Sequence, residues 1–372
     1  MPTYSVSMAH STEQSLGAVC SLLTSRPCGI LSTAVTLALG GHVYVCEDCN
    51  QSHYQYHSCQ NRHCPKCMND RAEIWLQKQT DLLLPTHYFL ITFTLPDELR
   101  DLARSNQKLF YDLLFKTSSP ALQELAADPR KVGGAIGLMG GLHTWARDLA
   151  FHPHVHYIVP GGGISEDQSK WIPSSKRFFV HVKPLSRLFR AKFRDELKKN
   201  QLFDFVLPKV WQKDWVVNSK PVGNGEHALK SLAPYVYRVA LSNKRITRLE
   251  NDQVTFEYED SNTHKSRFMT PPAFSFIHRF LQHVLPKGFI KVRYFGFLSP
   301  THKHTFNQAK SLLLALITLT LNPLEDPSLS PYTVKDSYEK PDLFICPNCG
   351  GPLRWLKAIN RGSSAPPLCK TS

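Results

Sequence analysis

The chain lacks any apolar run long enough to cross a bilayer, and its start, Met1 to Glu13, has neither a basic leader nor an apolar core. The best apolar candidate, Gly29 to Leu39, is short and rich in Ser and Thr, whereas a spanning helix needs about 20 apolar residues. No secretory leader and no membrane partner are expected, and the predicted location is cytoplasmic. Acidic residues are scarce as well: 30 Asp+Glu stand against 44 Lys+Arg, a formal charge of +14. A surplus of that size points to a polyanion, nucleic acid first, rather than to a small-molecule substrate. Apolar content is not scarce; 42% hydrophobic over 372 residues is enough for a sizeable core.

Cysteine is the residue present in unusual supply. Of ten, five fall between Cys46 and Cys67. Disulfide scaffolds are small secreted domains, so clustering in a chain of this size points to metal binding in a reducing compartment. Cys46-x2-Cys49 and Cys64-Pro-Lys-Cys67 form two knuckles separated by fourteen residues. Two thiolates from each close a four-cysteine zinc ribbon, with Cys59 or His63 as substitutes for one ligand. Tyr54, Tyr56, His57, Arg62 and Lys66 interleave aromatic and basic character there, as in a module that lies on nucleic acid. A further knuckle, Cys346-Pro-Asn-Cys349, has no matching second pair nearby, and Cys369 alone cannot complete it. The tail therefore reads as an incomplete site.

Histidines alternate at 152, 154 and 156 in Phe151-His-Pro-His-Val-His-Tyr-Ile-Val159, ahead of Pro160-Gly-Gly-Gly163. Aromatic and β-branched content running into glycines predicts a strand and a turn. On a strand, residues i and i+2 share a face, so His154 and His156 can share one ion. Pro153 suits the opening of a strand, which places the start of the site at His154 and leaves His152 the weaker ligand. Paired neutral imidazoles suit Mn, Zn, Co or Ni better than Mg. A zinc-hydrolase His-x-His-x-Asp site would require Asp at 158, where Ile158 stands.

Elsewhere, helices are predicted over 15–23, 71–84, 95–127, 185–199, 226–242, 274–285 and from 304 to 321. Strands are predicted over 87–94, 133–145, 177–182, 214–217 and 290–297, with a hairpin pairing 246–248 and 254–258. The irregular order argues for an α+β fold with a largely antiparallel sheet and flanking helices, preceded by a small zinc ribbon. Boundaries fall at an unassigned segment 1–38, a zinc-binding module 39–76, a catalytic domain 85–300, a helix and linker 301–345, and the tail 346–372. Metal beside histidines polarises an oxygen, and in a basic chain a phosphodiester is the natural substrate. Tyr235 and Tyr237 flank the apolar stripe Leu229, Leu232, Val236 and Ala240, one on either side, so helical periodicity does not choose between them as nucleophile. Arg238, Lys244, Arg245, Lys291 and Arg293 form the candidate DNA-backbone set, with Lys291 and Arg293 expected on one strand face.

Six ordered segments together resemble the rolling-circle transposases of the insertion-sequence ninety-one family. They are Leu39 to Cys49, Ser58 to Cys67, Leu142-His-Thr-Trp145, His152 to His156, Tyr235 to Asn243 and Arg279 to Gly288. The resemblance implies a His-hydrophobic-His endonuclease, with His154-Val155-His156 on a central strand holding a divalent metal, Mg or Mn. It also implies a tyrosine on a nearby helix that attacks single-stranded DNA at element ends and in the target. Tyr235 matches the family's second tyrosine, whereas Ser231 stands where many members carry the first, which points to the single-tyrosine branch. A plasmid replication initiator or relaxase would share this chemistry. A non-catalytic zinc-ribbon DNA-binding protein would leave the histidine strand and Tyr235 unused.

Overall fold

The computed structural model describes residues 37–58, 69–230, 240–241, 245–260, 263–321 and 345–361. Near the start, β1 (Gly41–Cys46) and β2 (Ser52–Tyr56) form a hairpin, followed by helix α1 (Asn69–Thr80). Next come β3 (Tyr88–Thr94), α2 (Gln107–Ala127), β4 (Gly137–Trp145) and β5 (Phe151–Pro160). A small pair, β6 (Gly162–Ile164) and β7 (Trp171–Pro173), leads into α3 (Val182–Lys199) and β8 (Val217–Pro221). The rest comprises β9 (Ile246–Glu250), β10 (Gln253–Glu259), β11 (Ser266–Met269), α4 (Ala273–Leu281), β12 (Val292–Gly296), α5 (Lys303–Leu321) and β13 (Leu353–Ile359).

The mixed α+β reading holds. The largest sheet has the order β12-β4-β5-β3-β8, with every neighbouring pair antiparallel and the histidine strand β5 in the middle. Period-two alternation gives its two faces different work. Phe89, Ile91, Phe93, Val155, Tyr157 and Val159 turn to one face and form the main core with α2 and α3. Each such fully buried side chain is worth roughly 1.5–3 kcal/mol of transfer free energy. Gly140 on β4 lets this face close, because a Cβ there would lie 2.5 Å from the Tyr157 ring. The other face carries the histidines between two smaller clusters, one around Tyr88, Met139 and Ile158, the other around Trp145 and Leu149.

Several boundaries differ from expectation. Residues 177–181 are irregular, and Val182 opens α3 rather than ending a strand. Phe179 and Val180 are nonetheless buried in the main core, so their apolar pattern marks packing and not strand pairing. The hairpin β9–β10 forms as predicted and gains a third strand, β11, on the far side of β10. Residues 226–230 are helical; the rest of the helix predicted over 226–242 lies outside the described residues apart from 240–241, as does all of 15–23. No helix among the described residues is long and apolar enough to cross a membrane.

Candidate metal centres and the active-site face

Register decides which side chains meet at the centre of the sheet. Across the β4–β5 ladder His143 is the partner of His154, and Gly141 that of His156. Three imidazoles consequently gather, with one ring nitrogen from each of His143, His154 and His156 lying within 4.8 Å of the others. Ring centroids of His143 and His156 are 4.5 Å apart, those of His154 and His156 4.8 Å. His152 shares the strand face but is drawn away, its Nδ1 accepting from the Arg100 guanidinium at 2.5 Å. His143 is the ligand candidate that reading along the chain misses. Its signal was there in the Leu142-His-Thr-Trp145 segment, yet only strand pairing reveals that it faces His154.

A carbonyl fixes the tautomer of His154, and a hydroxyl stands within reach of His156. The Nδ1–H of His154 donates to the His152 carbonyl at 2.6 Å, leaving its Nε2 lone pair for an ion. His156 Nδ1 lies 2.8 Å from Thr92 Oγ1 on β3, and donation to that hydroxyl frees its Nε2 in the same way. Burial pushes the pKa of His143 and His154 well below the usual histidine range, with the neighbouring imidazoles adding to it. His156 is lowered to about 4, by burial first and then by Lys220. All three are therefore neutral at pH 7, as metal ligation requires. Trp145 stacks on His143 at 5.7 Å between centroids and 12° between planes, and Lys291 Nζ sits 4.8 Å above the Trp145 ring. Lys220 and Lys291 thus give the face positive charge.

The basic residues separate. Lys291 lies on the histidine side, but Arg293 turns to the opposite face, paired with Asp112 and stacked over Phe115 at 4.5 Å. The expectation that the two share a face is therefore corrected: Arg293 pairs with Gly140 in the ladder and follows the core side of β12. Arg245 is occupied by backbone, its Nε donating to Glu257 O at 2.7 Å and its Nη2 to Arg147 O at 2.9 Å. Arg238 and Lys244 lie outside the described residues, as do Tyr235 and Tyr237. Described residues bracket the stretch 231–239 that carries the two tyrosines. On one side Leu229 packs in the cluster with Ile158 and Met139; on the other, Ala240 and Leu241 pack with Trp145. Both ends of the stretch carrying the tyrosines are anchored on the histidine face.

The second centre is made of thiols. Cys46 and Cys49 meet Cys346 and Cys349, with Sγ–Sγ distances of 3.4 Å (Cys46–Cys349) and 3.7 Å (Cys49–Cys346). Cys64, Cys67, Cys59 and His63, the expected partners, lie outside the described residues. The tail, read as half a site, supplies the facing pair because β13 runs antiparallel to β1, bringing Leu353 opposite Cys46.

Comparison with known proteins gives the family. Residues 137–305 match a family described as "Putative transposase", and residues 26–95 match a "Transposase zinc-binding domain" of the insertion-sequence ninety-one type. A relative from Sinorhizobium fredii (strain NBRC 101917 / NGR234), "Putative transposase y4qJ", is 36% identical over 358 residues, covering 90% of this chain and 89% of its own. The chain belongs to the insertion-sequence ninety-one transposase family. A second relative, "Transposase for insertion sequence element IS801" of Pseudomonas savastanoi pv. phaseolicola, is 28% identical over 346 residues, covering 87% of this transposase and 81% of its own length. No solved structure matches the transposase. The first family match spans both β4 and β5 and so contains all three imidazoles; the second contains Cys46 and Cys49 but stops far short of Cys346.

Proposed function

We propose that this transposase cuts and rejoins single-stranded DNA at element ends, with Tyr235 as nucleophile and His143, His154 and His156 as the ligands of one divalent ion. The observation that carries the reading is the three-imidazole cluster on the central strands, faced by the anchored ends of the tyrosine stretch. Three neutral nitrogens suit Mn better than Mg. A divalent ion bound there supplies positive charge against the scissile phosphate as the transition state forms.

The protein's own residues do the rest. Tyr235 Oη forms a bond to phosphorus while the bond from phosphorus to the 3′ oxygen breaks. The phenol proton ends on the leaving strand, giving a 5′-phosphotyrosine and a free 3′-OH. Because the phosphoester is conserved, that hydroxyl reverses the step on another strand without ATP. Lys291 and Lys220 flank the cluster and are placed to hold backbone phosphates, so binding should weaken steeply with salt. Cys46, Cys49, Cys346 and Cys349 form no disulfide, which fits a cytoplasmic setting.

The test incubates the protein with a single-stranded element-end oligonucleotide and Mn, then looks for a covalent adduct on a denaturing gel. The adduct should form with the parent protein and with Tyr237→Phe, and be absent from Tyr235→Phe. An adduct that survives in Tyr235→Phe transfers the role to Tyr237, and no adduct in any form sinks the covalent mechanism.

A further inference from the structure

Cys46-Glu-Asp-Cys49-Asn50 and Cys346-Pro-Asn-Cys349-Gly350 fold alike although 300 residues of sequence separate them. In the first knuckle Asn50 N–H donates to Cys46 O at 3.0 Å, and Cys46 N–H to Gln51 O at 3.0 Å. The second repeats both bonds: Gly350 N–H to Cys346 O at 2.9 Å and Cys346 N–H to Gly351 O at 2.7 Å. Each loop ends on a left-handed residue, Asn50 at φ 57° and Gly350 at φ 79°, the conformation that Asn and Gly adopt most readily. That turn curls two sulfurs of a C-x2-C towards one point. Two such loops face each other here, with Gly351 lying against the exposed Asp48 side chain of the first.

The sulfur spacing fits a metal. A tetrahedral zinc with Zn–S of about 2.3 Å sets its sulfurs about 3.8 Å apart. The cross-knuckle distances of 3.4 and 3.7 Å lie near that value and well beyond a disulfide bond of about 2.05 Å. His53 Nε2 stands 3.2 Å from Cys346 Sγ, where its N–H can donate to a thiolate and offset the excess negative charge of a four-sulfur shell. Ladder pairing continues outward from the cluster, from Cys46 opposite Leu353 to Gly41 opposite Ile359.

We infer that Cys46, Cys49, Cys346 and Cys349 hold one zinc ion, so that the zinc module is assembled from both ends of the chain. The C-terminal knuckle is then part of the N-terminal module and not a remnant. Zinc binding and the docking of β13 on β1 become one event, because neither knuckle alone offers more than two thiolates.

The experiment maps alkylation of the full-length protein by N-ethylmaleimide, cysteine by cysteine, by mass spectrometry. In zinc-loaded protein Cys46, Cys49, Cys346 and Cys349 should all be protected, and all four should become reactive together when a chelator removes the metal. Amide exchange over 41–46 and 353–359 should accelerate in the same step. Reaction of Cys346 and Cys349 at equal rates with and without chelator overturns the inference. So does protection that yields only to a reductant, which would mean disulfides. The variant Cys346→Ser/Cys349→Ser should lose one zinc per chain, whereas Cys349→His, which keeps a ligand, should retain it; a double variant with undiminished zinc also overturns the assignment.

Discussion

The transposase carries two ligand clusters built by opposite strategies. The histidine centre draws on neighbouring strands of one sheet, β4 and β5, whose chain positions differ by little more than ten residues. The thiol centre joins pairs separated by 297 and 303 residues. The first is a local consequence of alternation and register, set inside a core that folds for its own reasons. The second exists only if two distant parts of the chain find each other, so an ion held there, as inferred above, would do structural work that the core does not do for it. A catalytic site gains from a scaffold that holds without the ion; a structural site gains from an ion that supplies the hold.

The comparison breaks first, and most visibly, if the two centres fail to separate by function. His154→Ala or His156→Ala should reduce cleavage of single-stranded element-end DNA by roughly 1,000-fold or more, the several kcal/mol that a Lewis acid contributes to phosphoryl chemistry. Zinc content and the thermal midpoint should move little, because Phe89, Phe93 and Tyr157 on the opposite face keep the sheet packed. His143→Ala should match them in lost metal affinity at this site. Cys346→Ser/Cys349→Ser should do the converse: β13 protection lost, and the affinity of the histidine centre for Mn unchanged. If either set of variants damages both centres equally, the separation is wrong.

How much could be read from the chain follows the same line. His154 and His156 were visible because a strand repeats every two residues, and one run therefore contains both ligands. His143 was not, although its strand was predicted, because register is set by pairing and by the irregularity between His143 and Trp145. Cys46 and Cys49 were visible as a knuckle, and so was the pair at 346 and 349; what the text could not say was that these two face each other. Cys64 and Cys67, the nearer pair in the chain, lie outside the described residues. Apolar content misled at 177–182, where Phe179 and Val180 are buried without joining a ladder. The inner strands of the antiparallel sheet were legible, since alternation and burial agree along β3 and β5, whereas the edge strand expected over 214–217 runs from Val217 to Pro221.

A control histidine sharpens the contrast between ligand and packing roles. His283 is as buried as His143, but it sits between Thr144 and the Leu149 carbonyl, donating Nε2–H to Leu149 O at 3.2 Å. Burial lowers its pKa to about 4. Since the unfolded value is about 6.5, the unfolded chain takes up a proton first as the pH falls. Its effect on stability is therefore nil above pH 6.5, grows as the pH drops towards 4, and reaches roughly 3 kcal/mol of lost stability there. In His283→Gln, the stability lost between pH 7 and pH 4.5, read from urea midpoints, should be smaller than in the parent by roughly 2–3 kcal/mol. Metal binding at the three imidazoles should be untouched. An identical acid loss in parent and variant would remove His283 from the account.

The smallest effect concerns the hydroxyl behind His156. Thr92 is on β3, directly opposite His156 in the ladder, and its Oγ1 lies 2.8 Å from Nδ1. If that contact fixes the tautomer, it keeps Nε2 as the free lone pair without itself touching an ion. Thr92→Val preserves shape and β-branching while removing the acceptor. The imidazole then has no partner to hold its proton on Nδ1, and metal affinity should fall by roughly 10- to 100-fold, as outer-sphere losses do. Thermal stability should change little, since the strand pairing is unaltered. Thr92→Ser, which keeps the oxygen, should restore most of the affinity, and this rescue separates tautomer control from packing. Equal Mn affinity in Thr92→Val and the parent, measured by calorimetry, would show that β4 and β5 alone orient the site, making the histidine centre still more local than its contrast with the thiol centre requires.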